Sequence, residues 1–252
     1  MGANLVQGGA TFRVWAPRAR MVHICGDFNG WTRDDSSLLV RQGDGRWTGF
    51  VPNARDGDKY KFHVTGDGTE GFKRDPYARE LTVAWPNPDC ILRSAGSFPW
   101  QDWSWRTPDF RDLIIYQLHV GTWYGPDRQN RVAKFLDVLD RVEYLADLGI
   151  NAIEPLPIVE YSTSRSMGYN GSDLFSPEMD YQVPDGELDR YLDLANRLLT
   201  QKGKAPLTRA VLAVGINQLK ALVDICHHYG IAVLLDVVYN HASGDITSQP
   251  ES

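Results

Sequence analysis

The sequence has little cysteine: Cys25, Cys90 and Cys226 are the only three in 252 residues. They are too few and too scattered for a disulfide framework, and none shows metal-ligand spacing, so neither metal nor cofactor is expected. Long hydrophobic runs are also missing. The longest, Ile231–Val238, is broken by Asp236 and falls far short of the roughly 20 residues of a membrane helix. The first residues carry no cationic patch, no apolar stretch and no myristoylation Ser or Thr. Positive charge is in deficit, with 26 Lys and Arg against 32 Asp and Glu and a net charge of −6. No overall field therefore draws the chain to nucleic acid or anionic lipid. These absences predict a cytoplasmic protein with no nucleic-acid and no membrane partner; they leave its oligomeric state open.

What is present is an ordinary globular composition, 42% hydrophobic and 23% charged, which excludes a disordered tail or a collagen-like repeat. All eight Trp (15, 31, 47, 85, 100, 103, 105 and 123) lie in the first half. That imbalance implies two modules with different tasks. Flat amphipathic rings suit sugar faces and β-sandwich cores alike.

The first ninety-odd residues read as short strands between turns. Thr11–Trp15, Met21–Cys25, Arg46–Val51 and Lys59–Val64 are strand-length and rich in β-branched or aromatic residues. In the last, Lys59, Lys61 and His63 alternate with Tyr60, Phe62 and Val64. Asn29-Gly30, Gly43-Asp44-Gly45, Asp56-Gly57 and Gly66-Asp67-Gly68 mark turns. The pattern predicts an immunoglobulin-like β-sandwich over residues 1–105. The Trp100, Trp103 and Trp105 cluster is expected to pack between the two modules.

Over residues 106–252 the pattern alternates strand and helix. Leu113–Val120, Ile150–Leu156 and Ile231–Val238 read as strands apolar on both faces, hence as a parallel sheet. Helical spacing at Phe135–Leu148, Leu188–Leu199 and Leu219–Tyr229 ends at Gly149, Gly203 and Gly230. Three parallel strands complete no barrel, so the chain reads as the front of something longer. Asp236 and Glu154, acids at strand C-termini, stand where parallel α/β proteins place their sites. His227-His228, near a helix end, reads as a surface pair compensating the helix dipole.

Asp236-Val-Val-Tyr-Asn-His241 resembles the first short block of the α-amylase family, glycoside hydrolase family 13. Ile115–Trp123 and Gly149–Pro157 resemble the first two barrel strands of its branching-enzyme and maltooligosyl-trehalose trehalohydrolase members. Met167–Pro177 resembles its G-Y-x-x-x-D/N-x-F/Y-x-P loop. Phe12–Pro17, Gly26–Trp31 and Arg74–Tyr77 resemble the family 48 carbohydrate-binding module that precedes the barrel. The resemblance implies a multidomain β plus α/β protein, a sandwich followed by the first three strands of a (β/α)8 TIM barrel. It further implies a glycoside hydrolase or glucanotransferase acting on α-glucosidic bonds, with an α-glucan or malto-oligosaccharide as its partner.

Carried over position by position, Tyr169 stacks on the sugar and His241 hydrogen-bonds it. Asp236 supports the site, and Asn240 is a calcium ligand only in calcium-dependent members, so no metal is expected. His119 and Glu154 read as framework residues. Trp31 either stacks on glucan or folds back on the sandwich. The family's nucleophile and acid/base belong to later strands, so no catalytic residue is expected in these 252 residues. Residues 183–214, a departure from the family, are expected to add a helix to the cleft wall. The alternative from another class is a non-catalytic glucan-binding or assembly protein using Trp31 and Trp100–Trp105.

Overall fold

The computed structural model describes residues 1–83, 87–124, 131–161 and 166–241; Trp85 lies outside them. The first half builds eight strands: β1 (Gly2–Val6), β2 (Gly9–Trp15), β3 (Ala19–Gly26), β4 (Val40–Arg41), β5 (Arg46–Pro52), β6 (Lys59–Gly66), β7 (Thr69–Lys73) and β8 (Cys90–Ile91). One sheet runs β1-β2-β5-β4; the other runs β3-β6-β7, with β8 also paired to β6. All pairings are antiparallel. The period of two dictates which side is buried. In β2, Ala10, Phe12 and Val14 face the core while Thr11, Arg13 and Trp15 face water. Phe12, Val22, Ile24, Trp47, Tyr60, Phe62, Leu81 and Leu92 fill the space between the sheets.

β6 departs from its own alternation, because Lys61 and His63 are buried as well as Tyr60 and Phe62. Burial of the polar face is tolerated because most of its groups find partners, His63 Nδ1 being buried without one among the described residues. The Lys61 ammonium pairs with Asp89 at 3.1 Å, and His63 lies 2.9 Å from an Arg33 nitrogen with its ring edge-on to Phe72. Cys25, Cys90 and Cys226 are free thiols. Burial pushes the Cys25 thiol up to about 11 and Cys226 up to about 12, so both stay protonated and unreactive.

The second half contains β9 (Ile115–Leu118), α1 (Val142–Asp147), β10 (Ala152–Pro155), the antiparallel pair β11 (Val159–Tyr161) and β12 (Gly171–Pro177), then α2 (Leu188–Gln201), α3 (Arg209–Leu212), α4 (Gly215–His228) and β13 (Ala232–Val233). β9, β10 and β13 form a parallel sheet with β10 in the middle. Gly149 and Gly230 end their helices at φ +87° and +78°, a conformation glycine adopts without the Cβ clash.

The last strand is shorter than the apolar run Ile231–Val238 predicts. Ala232 N–H donates to Asn151 and Leu234 N–H to Ile153. The next rung requires an N–H from residue 155, which is proline, so the ladder stops. The sheet is also not buried on both faces. Leu118, Ile153 and Val233 pack with the helices, whereas Ile115 and Gln117, on the opposite face of β9, are exposed.

Helical spacing at 135–148 resolves into a 3-10 segment, Phe135–Arg141, followed by α1. Phe135, Leu136, Val138 and Leu139 are all buried, so the segment is enclosed rather than amphipathic. The helix of the 183–214 segment, α2, buries Leu188, Tyr191, Ala195, Leu198 and Leu199 in the core shared with α4. The segment is therefore part of the helical layer.

The Trp-rich segment packs along α4. Phe98 joins the second core and Trp100 lies against it, while Trp105 stacks flat on His227, with ring centroids 4.5 Å apart. His227 and His228 are not surface residues. The first is 2.6 Å from Asp102, the second 3.5 Å from buried Asp224, and both side chains are largely covered.

Candidate functional site

The C-terminal ends of β9, β10 and β13 open on the uncovered side of the parallel sheet. Glu154 and Gln117 are register partners on β10 and β9, so their side chains share a face, and the Gln117 amide donates to Glu154 Oε1 at 3.3 Å. Gln117 escaped the sequence reading. Its signal is the alternation Ile115, Gln117, His119 in an otherwise apolar stretch.

Three residues distant in sequence meet beyond these ends. The Tyr169 hydroxyl donates to Asp236 Oδ2 at 3.5 Å, and His241 Nε2 lies 2.7 Å from the Tyr169 carbonyl oxygen. A carbonyl only accepts, so this imidazole carries its hydrogen on Nε2. Its Nδ1 faces the Asn240 side-chain amide at 3.2 Å. The Tyr169 ring is 45% exposed, which leaves it open to a ligand. Partial desolvation, then the negative charges of Asp236 and Glu154, raise its hydroxyl above the ordinary tyrosine range. Trp31 is elsewhere. Its contacts are within the sandwich, with the indole N–H donating to Asp27 at 3.0 Å and the ring edge-on to Phe72.

His119 sits behind the Tyr169 segment. Its Nε2 is 3.1 Å from the Ser166 carbonyl and 3.0 Å from the Tyr181 hydroxyl, and Nδ1 is 3.0 Å from Thr122 Oγ1. Desolvation lowers its pKa, so it is a neutral framework donor. The Tyr169 segment is held tightly. At Gly168, φ is +88° and a Cβ would lie 1.8 Å from the Pro157 carbonyl oxygen, so only glycine fits.

Beneath it lies an acid pair that the sequence did not single out. Glu160 Oε2 accepts from Met179 N–H at 2.9 Å, and Glu178 Oε2 accepts from Tyr161 N–H at 3.3 Å. Burial raises both carboxyls, and the charge of Glu178 raises Glu160 further. The folded state therefore keeps protons that the unfolded chain releases above the ordinary carboxylate range. Stability is then greatest in mild acid and falls as pH rises toward the raised values. Glu160→Gln should flatten that decline in melting temperature between about pH 5 and pH 9. An unchanged slope in scanning calorimetry would refute the assignment.

Among the described residues no cluster of His, Cys, Asp or Glu is arranged to hold a metal ion. Among them too, no helix is long and apolar enough to cross a membrane.

A β-sandwich joined to a parallel β/α unit, with polar residues gathered at the strand ends, makes a two-part protein. Residues 1–78 match carbohydrate-binding module 48, the isoamylase N-terminal domain. Over 248 residues the chain is 32% identical to a 1,4-α-glucan branching enzyme of Rhizobium johnstonii, covering 94% of this chain and 29% of that enzyme. It is 30% identical over 244 residues to the branching enzyme of Desulfitobacterium hafniense, covering 92% and 33%. In fold it is similar to a putative α-amylase from Salmonella typhimurium, with TM-score 0.73 and 24% identity over 97% of this chain and 34% of that one. A pullulanase from Bacillus acidopullulyticus gives TM-score 0.72 at 22% identity, over 99% and 30%. Residues 1–78 thus match the module, and the chain as a whole is similar to glucan branching enzymes. It spans about a third of the length of these relatives.

Proposed function

We propose that the chain is the glucan-recognising front of an enzyme that cleaves or transfers α-glucosidic bonds in starch- or glycogen-like glucans. The parallel strands β9, β10 and β13 are then the first three of a (β/α)8 barrel, preceded by a sandwich module whose core runs to Leu92, with the segment 98–105 packed on the barrel unit. The carrying observation is the meeting of Tyr169, Asp236 and His241, drawn together across 67 and 72 residues of sequence. An exposed aromatic ring backed by a carboxylate and an imidazole suits a glucose unit, whose apolar face stacks and whose hydroxyls seek polar partners.

Tyr169 supplies the stacking face. Asp236 fixes the tyrosine hydroxyl, and His241 exchanges the Tyr169 carbonyl for a sugar hydroxyl when glucan enters. Trp31 offers a separate contact on the sandwich, where its half-exposed ring is held in place by Asp27 and Phe72. Glu154 and Asp236 are the carboxylates at the strand ends, and both serve as hydrogen-bonding framework. This chain alone therefore binds glucan without breaking it.

The test is a calorimetric titration with maltoheptaose. His241→Ala should leave the fold intact and weaken binding by about 0.5–1.5 kcal/mol, the usual net contribution of one hydrogen bond, since His241 is exposed in the free chain. Equal affinity in wild type and His241→Ala would remove His241 from the site.

A further inference from the structure

One ion pair ties the sandwich to the segment that carries Tyr169. Arg74, just past β7, donates from Nε to Asp173 Oδ1 of β12 at 3.1 Å, with side chains only 6% and 7% exposed. Ser172 Oγ donates to the other Asp173 oxygen at 2.8 Å. Among the described residues Arg74 Nη1 is buried without a hydrogen-bond partner, so Asp173 is the counter-charge holding this guanidinium. Around the pair, Tyr77 stacks on Phe175, with centroids 4.9 Å apart and planes 18° apart. Met179 is counted in the sandwich core although it follows β12.

The path from Asp173 to Tyr169 is short and has no slack. Gly171, the first residue of β12, is two residues from Tyr169, and a Cβ there would lie 2.4 Å from Val159 Cγ2. Gly168 on the other side is pressed against Pro157. From Tyr169 the link continues through its carbonyl to His241 at 2.7 Å. A shift of β12 at Asp173 therefore moves Tyr169, and His241 with it.

We propose that Arg74 is a positioning residue for Tyr169: the carbohydrate-binding module, through the Arg74–Asp173 pair, sets where the tyrosine ring meets a glucose unit. The sugar part of this statement rests on the reading of Tyr169 given above. A buried pair of this kind contributes little net stability but fixes geometry, because breaking either partner strands a charge. It also gives the Arg74-Asp-Pro-Tyr77 stretch two contacts with the second half, at Asp173 and at Phe175.

The experiment labels the chain with 3-fluorotyrosine and assigns the Tyr169 fluorine resonance by its disappearance in Tyr169→Phe. In Arg74→Met that resonance should shift or broaden while the indole N–H signals of Trp31 and Trp47 stay in place. Maltoheptaose binding should weaken by about fivefold, in the range of coupling between connected sites. A folded Arg74→Met protein with the Tyr169 resonance unmoved would overturn the proposal. Should Arg74→Met fail to fold, Phe175→Ala, at the exposed end of the same contact, must move the same resonance, and its failure to do so overturns the proposal equally. A resonance that moves in Arg74→Met, in a chain whose wild-type Tyr169 ignores maltoheptaose, supports the positioning and refutes the sugar-site reading.

Discussion

Incubated with amylose or glycogen, the 252-residue chain should release no reducing ends and add no branch points. Retaining cleavage needs two carboxyl groups roughly 5–5.5 Å apart, one attacking the anomeric carbon and the other protonating the leaving oxygen. The carboxylates near Tyr169 are Glu154, which accepts from Gln117, and Asp236, which accepts from the Tyr169 hydroxyl. Neither matches a catalytic position of the family the sequence resembles. Binding a sugar through Tyr169 and His241 stabilises the ground state without stabilising an oxocarbenium-like transition state. The expected rate is that of buffer alone in a reducing-sugar assay, with an unchanged iodine spectrum. Turnover by pure protein of correct mass, abolished by Glu154→Gln or Asp236→Asn, would make those residues catalytic and defeat this account.

The largest loss of stability from one substitution is expected at Asp137. Its carboxylate is fully buried and accepts from Lys134 N–H at 2.8 Å, from Tyr191 Oη at 2.5 Å and from Arg131 at 3.1 Å. These three partners come from the start of the 3-10 segment, from α2 and from the chain before it, so one side chain fastens the helical layer together. Asp137→Ala removes the counter-charge of Arg131, whose side chain is mostly covered, and strips the buried Tyr191 hydroxyl and Lys134 N–H of their acceptor. The expected cost is about 3–5 kcal/mol, as for other broken buried pairs. Tyr191→Phe removes two hydrogen bonds, the one donated to Asp137 and the one accepted from Arg131, and should cost about 1–3 kcal/mol. Chemical denaturation of both variants checks the order; equal losses would mean the Arg131 pair contributes nothing.

Much of the architecture was legible because it depends on short-range pattern. The sandwich strands followed from alternation bounded by Gly and Asn turns, and Thr11–Trp15 is found inside Gly9–Trp15. Helices α2 and α4 followed from their apolar stripes and terminal glycines. Strands β1, β4, β7, β8, β11 and β12 were not anticipated. All but β12 have five residues or fewer, and Gly2, Gly71 and Gly171 dilute the β signal of β1, β7 and β12. His227-His228 read as surface because a helix end is usually exposed; the Trp-rich segment lying on α4 buries them.

At the site, Asp236 stood out as an acid closing an apolar run, whereas Tyr169 and His241 were reached only through the resemblance of Met167–Pro177 and Asp236–His241 to family motifs. Their partners did not stand out. Arg74 with Asp173, Glu160 with Glu178, and Gln117 with Glu154 are ordinary charged or polar residues in sequence. Nothing local marks a carboxylate that will lose its water.

The sequence by itself determined where the chain turns, which residues alternate and which glycines end helices, since these depend on φ/ψ preferences and on periods of two and 3.6 residues. Only the tertiary structure decided which polar groups are buried together, where Pro155 halts the last ladder, and that the sandwich reaches Tyr169 through Arg74. Those outcomes depend on contacts between segments a hundred residues apart or more (Arg74 and Asp173 are separated by 99, Asp102 and His227 by 125). Burial and charge pairing are properties of that assembled geometry, and no local pattern encodes them.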